Sequence, residues 1–389
     1  MNYYKTMDRL MKNEIETEYV RGNSALVLHD GEEIYFNAFG YADYEKKIPM
    51  KRDTIIRLYS MTKPITAVAL MIVQERGLVD LLDPVSKYLP EFSDMKIIQD
   101  GKLRPASKRI TLMNLLTMTS GIPYGENWEG CSEAGREMQK LFDEMLAGLR
   151  TGEKLSTREI IKKIATVPIA FEPGERWMYG LSADIIAAVI EVVTGERYSE
   201  FLKREIFVPL QMCDTGFYVP EEKLSRFAMN YDWRGEEGLV PCDDSYLMEY
   251  YKEDVAYEAG GCGLVSTIDD YSRFAMMLMN GGTYKGKKII GSASVDFLTT
   301  NHLTSGQMNS LEWDSNMGYG YGGLMRVLVS PTRAGIQAPI GEFGWDGWTG
   351  NYVSVDKENR LIIIYFMQRR GADNVHIIRK LKAAAYGAI

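Results

Sequence analysis

The most reactive local pattern in the chain is Ser60-Met61-Thr62-Lys63, which stands directly before an apolar stretch ending near Gly77. On a helix, residues three positions apart share a face, with β-carbons about 5–6 Å apart, so the lysine amine can reach the serine hydroxyl. The positive end of the helix dipole also favours an alkoxide at a helix start. Serine is a weak nucleophile without a base, and a lysine that reaches its hydroxyl can assist it. The pattern therefore predicts nucleophilic catalysis. The structural alternative is an N-cap serine with an exposed lysine.

The serine–lysine spacing is not specific by itself, because it also occurs at Ser93–Lys96 and Ser354–Lys357. Ser354 lies in a predicted strand, where residues three apart point to opposite faces. Ser93 follows a loop without a helix signal. Only Ser60 has the helical context, which makes it the candidate nucleophile.

Two further segments carry groups that could assist Ser60. Tyr179 stands three residues before Ser182, a predicted helix cap, and a tyrosine near a helix N-terminus can act as a base. With 24 tyrosines in the chain, such a placement also arises by chance. The segment 343–356, FGWDGWTGNYVSVD, places glycines beside a predicted strand, where a ligand can approach the backbone. A backbone N–H of this segment could join the Ser60 N–H in an oxyanion hole, unless the glycines only make a tight turn.

Sequence patterns near both ends of the chain predict the helices and strands that would position these groups. A helix is expected over residues 2–15, and Asp30-Gly31 between two alternating runs is typical of a hairpin turn. Near the other end, NYVSVD and RLIIIYFMQ flank a polar turn before a predicted helix over 373–385. Together these elements predict an antiparallel sheet with helices packed on it.

Helix signals dominate the middle of the chain. Helices are predicted after Thr111 and Thr267, from Ser182, and behind a capping box formed by Ser156 and Glu159.

Two polar stretches, 124–154 and 232–258, are predicted to be long surface loops, which often line sites. We therefore expect a sheet domain from residues 1–80 and 283–389, and a mostly helical domain from residues 81–282.

The composition argues against metal and dinucleotide chemistry. Three histidines without HExxH spacing and four cysteines without a CxxC pair predict no metal site, and the cysteines are expected to be buried thiols. Gly318, Gly320 and Gly323 fit GxGxxG, but a predicted strand follows where a phosphate-binding helix is needed. No cofactor is expected.

The overall charge and the apolar runs bear on partners and location. A net charge of −8 over 389 residues is not the basic footprint of a nucleic-acid binder. No apolar run approaches the roughly 20 residues of a membrane helix, and the first residues lack the apolar core of a signal peptide. We therefore expect no nucleic-acid or membrane partner, and a cytoplasmic location.

Several segments, taken together, resemble a known superfamily. They are LYSMTKPITAVALMIVQERGLVDLLDPVSKYLPEF, ITLMNLLTMTSGIP, FEPGERWMYGLSADIIAAVIE, GGCGLVSTIDDYSRFAMMLMNGG and GYGYGG. In this order, over roughly residues 15–385, the chain resembles the serine β-lactamase-like superfamily, in its class C β-lactamase-related branch and especially the family VIII carboxylesterases. The resemblance implies an α+β, β-lactamase/transpeptidase-like fold, in which an antiparallel sheet flanked by helices meets a mostly helical domain at the site.

The resemblance also implies roles for individual residues. Ser60 is similar to the acylated nucleophile, Lys63 to its proton-transfer partner, and Tyr179 to the general base that later acts as an acid. The backbone N–H groups of Ser60 and Trp348 would form the oxyanion hole.

Two departures from the β-lactamase pattern bear on the substrate. Leu181 stands where the Tyr-x-Asn motif has its amide, and Trp345-Asp346-Gly347 replaces Lys-Thr-Gly. The lost lysine would have attracted a substrate carboxylate, and Asp346 would repel one if it faces the site. The expected substrate-binding residues are Trp345, Asp346, Gly347, Leu181, Tyr124 and Trp128.

These observations favour a serine hydrolase that forms an acyl-enzyme on Ser60, most simply a carboxylesterase acting on uncharged, short-acyl esters without metal or organic cofactor. The partner would then be a small-molecule ester or amide. One alternative is a β-lactamase or D-alanyl-D-alanine peptidase. Another is a non-catalytic ligand-binding protein with the same fold.

Overall fold

The described part of the chain comprises, in this computed structural model, residues 2–126, 131–242, 250, 253, 255–311 and 313–389. Strands are grouped toward its two ends, and six α-helices follow one another in its middle. The helices are α1 (Tyr3–Glu16), α2 (Thr62–Glu75), α3 (Leu112–Leu116), α4 (Glu133–Arg150), α5 (Thr157–Ile164), α6 (Ser182–Thr194), α7 (Tyr198–Leu202), α8 (Val208–Leu210), α9 (Ile268–Met279), α10 (Ser292–Leu298), α11 (Ser305–Met308), α12 (Pro331–Ala334) and α13 (Val375–Tyr386). The strands are β1 (Gly22–His29), β2 (Glu32–Asp43), β3 (Ile48–Pro49), β4 (Ile56–Arg57), β5 (Lys96–Gln99), β6 (Lys102–Pro105), β7 (Asn230–Trp233), β8 (Leu239–Cys242), β9 (Val265–Ser266), β10 (Thr283–Tyr284), β11 (Lys287–Lys288), β12 (Tyr319–Tyr321), β13 (Arg326–Leu328), β14 (Phe343–Asp346), β15 (Tyr352–Asp356) and β16 (Leu361–Met367).

The main sheet takes its strands from both ends of the chain, as predicted. Its eight strands lie in the order β12-β13-β14-β15-β16-β1-β2-β3, and each neighbouring pair is antiparallel. Asp30 and Gly31 connect β1 to β2, which confirms the hairpin. The pair of β1 with β16, inside this sheet, joins residues more than 330 positions apart, with Ala25 opposite Tyr365.

The continuous apolar runs of β1 and β16 are explained by burial on both faces of the sheet. Alternate residues of β1, Ala25 and Val27, pack in a cluster with apolar residues of α1 and α13, while Leu26 and Leu28 belong to the large core on the other face. Because side chains alternate across a strand, both faces demand apolar residues here. The antiparallel sheet flanked by helices is confirmed.

The predicted helix boundaries rest on side-chain caps that the structure confirms. The Ser156 and Glu159 side chains form the expected capping box at the start of α5. The Thr267 hydroxyl accepts the Asp270 N–H at the start of α9. Gly195 ends α6 as its C-cap, although the helix starts at Ser182 itself with Leu181 as the N-cap.

The predictions of two long irregular loops were wrong in part. The stretch 124–154 contains the 18-residue helix α4, capped by the Ser132 side chain. Its apolar residues recur at helical spacing, with Ala134, Met138 and Met145 buried, but the many charged residues between them hid the pattern. The stretch 232–258 contains most of the β7–β8 hairpin.

The cysteines are free thiols, but Cys213 is exposed and Cys262 is half-buried, so the expectation that all four are buried was wrong. Within the described residues, no helix combines the length and the hydropathy needed to cross a membrane. The domain boundaries at residues 80 and 282 stay predictions.

Candidate active site

Ser60 lies in a short 3-10 turn, Tyr59–Met61, that leads directly into α2. Tyr59 has a φ of 46°, in the left-handed region that L-residues avoid at a cost of about 1–2 kcal/mol. Its hydroxyl accepts a hydrogen bond from the Asn230 side chain at 2.9 Å, and its ring contacts the Trp348 ring edge-on. These contacts stabilise the strained turn that presents Ser60 at the helix start.

The Lys63 side chain is fully buried and points at Ser60, as the spacing predicts. Its Nζ donates to Ser60 Oγ at 3.1 Å, to the Tyr124 hydroxyl at 2.9 Å and to the Gly261 carbonyl at 2.8 Å. An ammonium group has three donors and no acceptor, so three acceptors satisfy it completely. The alternative of an exposed lysine beside a capping serine is therefore wrong.

Two tyrosines flank this pair in different ways. Tyr124 contacts Lys63 Nζ through its hydroxyl, whereas Tyr179 lies with its ring 4.5 Å from the same nitrogen. The Tyr179 hydroxyl accepts a hydrogen bond from the Trp345 indole at 3.2 Å. The centroids of the two tyrosine rings are 5.4 Å apart, and both rings lie close to Lys63 Nζ.

The end of β14 packs directly on the turn that carries Ser60. A β-carbon at Gly347 would lie 2.6 Å from the Leu58 carbonyl oxygen, closer than any side chain allows. The Gly347 N–H is held by the Asn351 carbonyl at 2.8 Å. This close approach brings Trp348, the next residue, beside the Ser60 turn, where the expected oxyanion hole requires its N–H.

These groups open onto a cavity of about 490 Å³. All predicted site residues within the described part of the chain line this cavity except Lys63, which lies buried beneath Ser60. The lining residues are Ser60, Tyr124, Tyr179, Leu181, Trp345, Asp346, Gly347 and Trp348. The remaining predicted residue, Trp128, lies outside the described residues. The remaining wall includes Tyr59, Gln139, Phe142, Tyr257, Cys262 and Trp313.

Asp346 lines the cavity but is not a free negative charge. Its Oδ2 accepts a hydrogen bond from Arg326 Nη1 at 2.5 Å, and the Arg326 side chain is almost completely buried. On neighbouring strands Arg326 stands opposite Gly344, two residues before Asp346, so both side chains leave the same face of the sheet. The expected repulsion of a substrate carboxylate is therefore reduced by a buried counter-ion.

Several residues that sequence reasoning missed complete the cluster. Asp184 of α6 is fully buried, and its Oδ1 accepts the Tyr257 hydroxyl at 2.8 Å and the Gly261 N–H at 3.2 Å. A carboxylate inside the apolar run ADIIAAVIEVV was a signal that could have found it. Gln139 and Phe142 reach the cavity from α4, which was predicted to be a loop.

Burial controls the protonation of the groups around Lys63. It raises the pKa of Tyr124 well above its usual value and raises the pKa of Cys262 to about 12. Burial also raises the pKa of Asp184, against the opposing effect of the Lys63 charge. At neutral pH the Tyr124 hydroxyl and the Cys262 thiol therefore stay protonated and uncharged.

The comparisons with known proteins fit this arrangement. The beta-lactamase family model matches residues 7–387. The chain belongs to the beta-lactamase family. Family membership and esterase relatives together identify the protein as a serine hydrolase.

Individual relatives cover most of the chain. Esterase EstB from Burkholderia gladioli is 29% identical over 376 residues, which span 92% of this chain and 88% of that protein. Penicillin-binding protein 4* from Bacillus subtilis (strain 168) is 25% identical, over 93% of this chain and 71% of its own length.

Among solved structures, EstCE1, described as a hydrolase with promiscuous acyltransferase activity, matches with a TM-score of 0.81 and 25% identity over 99% of both chains. Simvastatin synthase (LovD) from Aspergillus terreus also reaches 0.81, at 20% identity over 100% of this chain and 99% of its own, which supports the fold alone.

Proposed function

We propose that the protein is a carboxylesterase that cleaves uncharged, short-acyl esters through an acyl-enzyme on Ser60. One observation carries the proposal: a fully buried Lys63 donates to Ser60 Oγ at 3.1 Å at the edge of an aromatic cavity. A serine hydroxyl held in this way is placed for attack on a carbonyl carbon at the cavity floor.

In the proposed reaction, Ser60 Oγ forms a bond to the ester carbonyl carbon while its proton passes to Tyr179, whose ring lies against Lys63. The carbonyl oxygen becomes an oxyanion, stabilised by the N–H groups of Ser60 and Trp348. The alkoxide then leaves with the proton from Tyr179. A water molecule, deprotonated by the same tyrosine, attacks the acyl group and releases the acid with Ser60 restored.

The cavity wall supports an uncharged substrate. Its lining is rich in aromatic residues, and the position of the β-lactamase lysine is occupied by Trp345, which is buried and donates to Tyr179. Asp346 and Arg326 neutralise each other at the cavity edge. Leu181 contributes an apolar surface where an amide would hold a lactam side chain. EstB, whose name describes it as an esterase, adds support for this substrate class.

Hydrolysis of p-nitrophenyl acetate and butyrate, compared with nitrocefin, tests the proposal. We expect the esters to have the higher kcat/KM and Ser60→Ala to abolish turnover. The thermal unfolding midpoint should stay within a few degrees, since the substitution removes one hydrogen bond, from Lys63 to Ser60 Oγ, and one such bond contributes about 1 kcal/mol. A nitrocefin rate far above the ester rates would instead favour the β-lactamase or D-alanyl-D-alanine peptidase alternative, which the likeness to penicillin-binding protein 4* keeps open.

Labelling with a fluorophosphonate separates both enzymes from a non-catalytic binding protein. Intact-mass measurement should find one adduct on the wild-type chain and none on Ser60→Ala. Absence of an adduct on the wild type would contradict the proposed nucleophile. The cytoplasmic location expected from the sequence also stays a proposal.

A further inference from the structure

Asp184 is a buried carboxylate directly behind the catalytic cluster. It lies in the first turn of α6, is fully buried, and its Oδ1 accepts hydrogen bonds from Tyr257 and Gly261. Its Oδ2 is buried as well and has no hydrogen-bond partner among the described residues. A carboxylate with an unpartnered buried oxygen is costly unless a positive charge nearby compensates it.

That positive charge is Lys63, reached through a single residue. Gly261 accepts from Lys63 Nζ with its carbonyl at 2.8 Å and donates to Asp184 Oδ1 with its N–H at 3.2 Å. A β-carbon at Gly261 would lie 2.5 Å from Asp184 Oδ2 and 3.2 Å from the Tyr124 hydroxyl. Glycine at this position therefore lets the carboxylate approach the Lys63–Tyr124 pair.

The three hydrogen-bond acceptors of Lys63 carry no negative charge at neutral pH. Its three hydrogen-bond acceptors are the Ser60 hydroxyl, the Tyr124 hydroxyl and the Gly261 carbonyl, and the Tyr179 ring covers it. Burial raises the pKa of Tyr124 and of Tyr257 well above the usual value, and that of Cys262 to about 12. Among these described neighbours, Asp184 is the carboxylate.

We propose that Asp184 is the buried counter-charge of the Lys63 ammonium. It is a positioning residue, since it acts on Ser60 through Lys63 and Gly261. The inference rests on the proposed function, because the Lys63 charge lies against Tyr179, which takes the Ser60 proton in that reaction. Without Asp184 the buried charge of Lys63 would be uncompensated. The alkaline decline in the rate of Ser60 acylation would then shift to lower pH.

The test is the pH dependence of Ser60 labelling by a fluorophosphonate, measured between pH 5 and 10.5 by intact mass. For Asp184→Asn we expect the alkaline midpoint of the labelling rate to fall by about 1–2 pH units, the effect typical of losing an opposite charge at short range. Asp184→Ser, which leaves room for a water molecule, is the second variant if the first does not fold.

Asp270→Asn is the matched control, because Asp270 is also buried in the first turn of a helix and accepts a backbone N–H, from Asp214 at 2.7 Å. It should leave the midpoint unchanged. Asp184 variants that fold and lose rate equally at every pH would overturn the counter-charge and leave a structural role. A wild-type protein that does not label at all would instead contradict the proposed function.

Discussion

Arg326 and Asp346 show how one ion pair can set the charge that a cavity tolerates. The Arg326 guanidinium is buried, and its Nε and Nη2 atoms, like Asp346 Oδ1, have no hydrogen-bond partner among the described residues. Asp346 also lines the cavity. Since Asp346 is the counter-ion of this guanidinium, removing its charge leaves an uncompensated buried cation directly behind the cavity wall.

We therefore predict that Asp346→Asn improves the use of carboxylate-bearing esters. The KM of the p-nitrophenyl monoester of succinic acid should fall at least about tenfold, which corresponds to ~1.4 kcal/mol, relative to that of p-nitrophenyl butyrate. Steady-state kinetics on the folded variant would measure this ratio.

Asp373→Asn controls for net charge in the same cavity. Asp373 also lines it, but its carboxylate caps the Val375 N–H at 2.8 Å. If Asp373→Asn changes the ratio as much as Asp346→Asn does, the loss of any carboxylate would account for the effect and Arg326 would have no special role.

The contact between β14 and the turn before α2 positions the two halves of the expected oxyanion hole. The turn supplies Ser60, and the residues after β14 supply Trp348. Gly347 lies between them, where the Leu58 carbonyl leaves no room for a side chain. The geometry of the hole therefore depends on the distance at which these two elements pack.

Gly347→Ala should push the two elements apart. We expect kcat for p-nitrophenyl butyrate to fall about 100-fold, the loss typical of one displaced oxyanion donor. The unfolding free energy should fall by about 1–3 kcal/mol, the usual effect of overpacking.

Gly216→Ala is the control for this substitution, because a β-carbon there meets its nearest atom, the Tyr218 carbonyl oxygen, at 3.8 Å. It should keep both activity and stability. A Gly347→Ala variant with wild-type kcat would show that the Trp348 N–H does not contribute to the transition state.

Acid stability of the whole molecule depends on carboxylates that are paired only in the folded state. Arg226 holds Asp214 through two hydrogen bonds, at 2.7 and 2.9 Å, and with Lys223 lowers the pKa of Asp214 to about 2. In an unfolded chain an aspartate titrates near ~3.9. The stabilisation is therefore complete above about pH 4 and is lost as the pH falls toward 2.

Asp214→Asn should lower the unfolding free energy by about 1 kcal/mol at pH 6, after allowance for solvent screening, and by almost nothing near pH 2. Urea unfolding at the two pH values measures the difference. Asp94→Asn, at an exposed residue, serves as the comparison for the change of one carboxylate to an amide. If Asp214→Asn lowers the unfolding free energy equally at both pH values, the assignment of the ion pair is contradicted.

Local patterns predicted much of this molecule because their causes lie within a few residues. The Ser60–Lys63 contact follows from helix geometry, the cap at Ser156 from its own side chain, and the hairpin at Asp30 from the turn residues. Helix α4 shows the limit of such prediction. Its many charged residues indicated a loop, and the apolar stripe between them is recognised only when the buried face of the helix is known.

Sequence by itself determined the nucleophile candidate, the two-ended sheet and the class of chemistry, because spacing and alternation act over short distances. Tertiary structure alone decided which distant groups meet. It brought the Tyr124 hydroxyl to Lys63, 61 residues away, the Gly261 N–H to Asp184, 77 residues away, and Arg326 to Asp346 across neighbouring strands. Such contacts depend on how whole elements bury their apolar faces against one another, and spacing along the chain does not encode that packing directly.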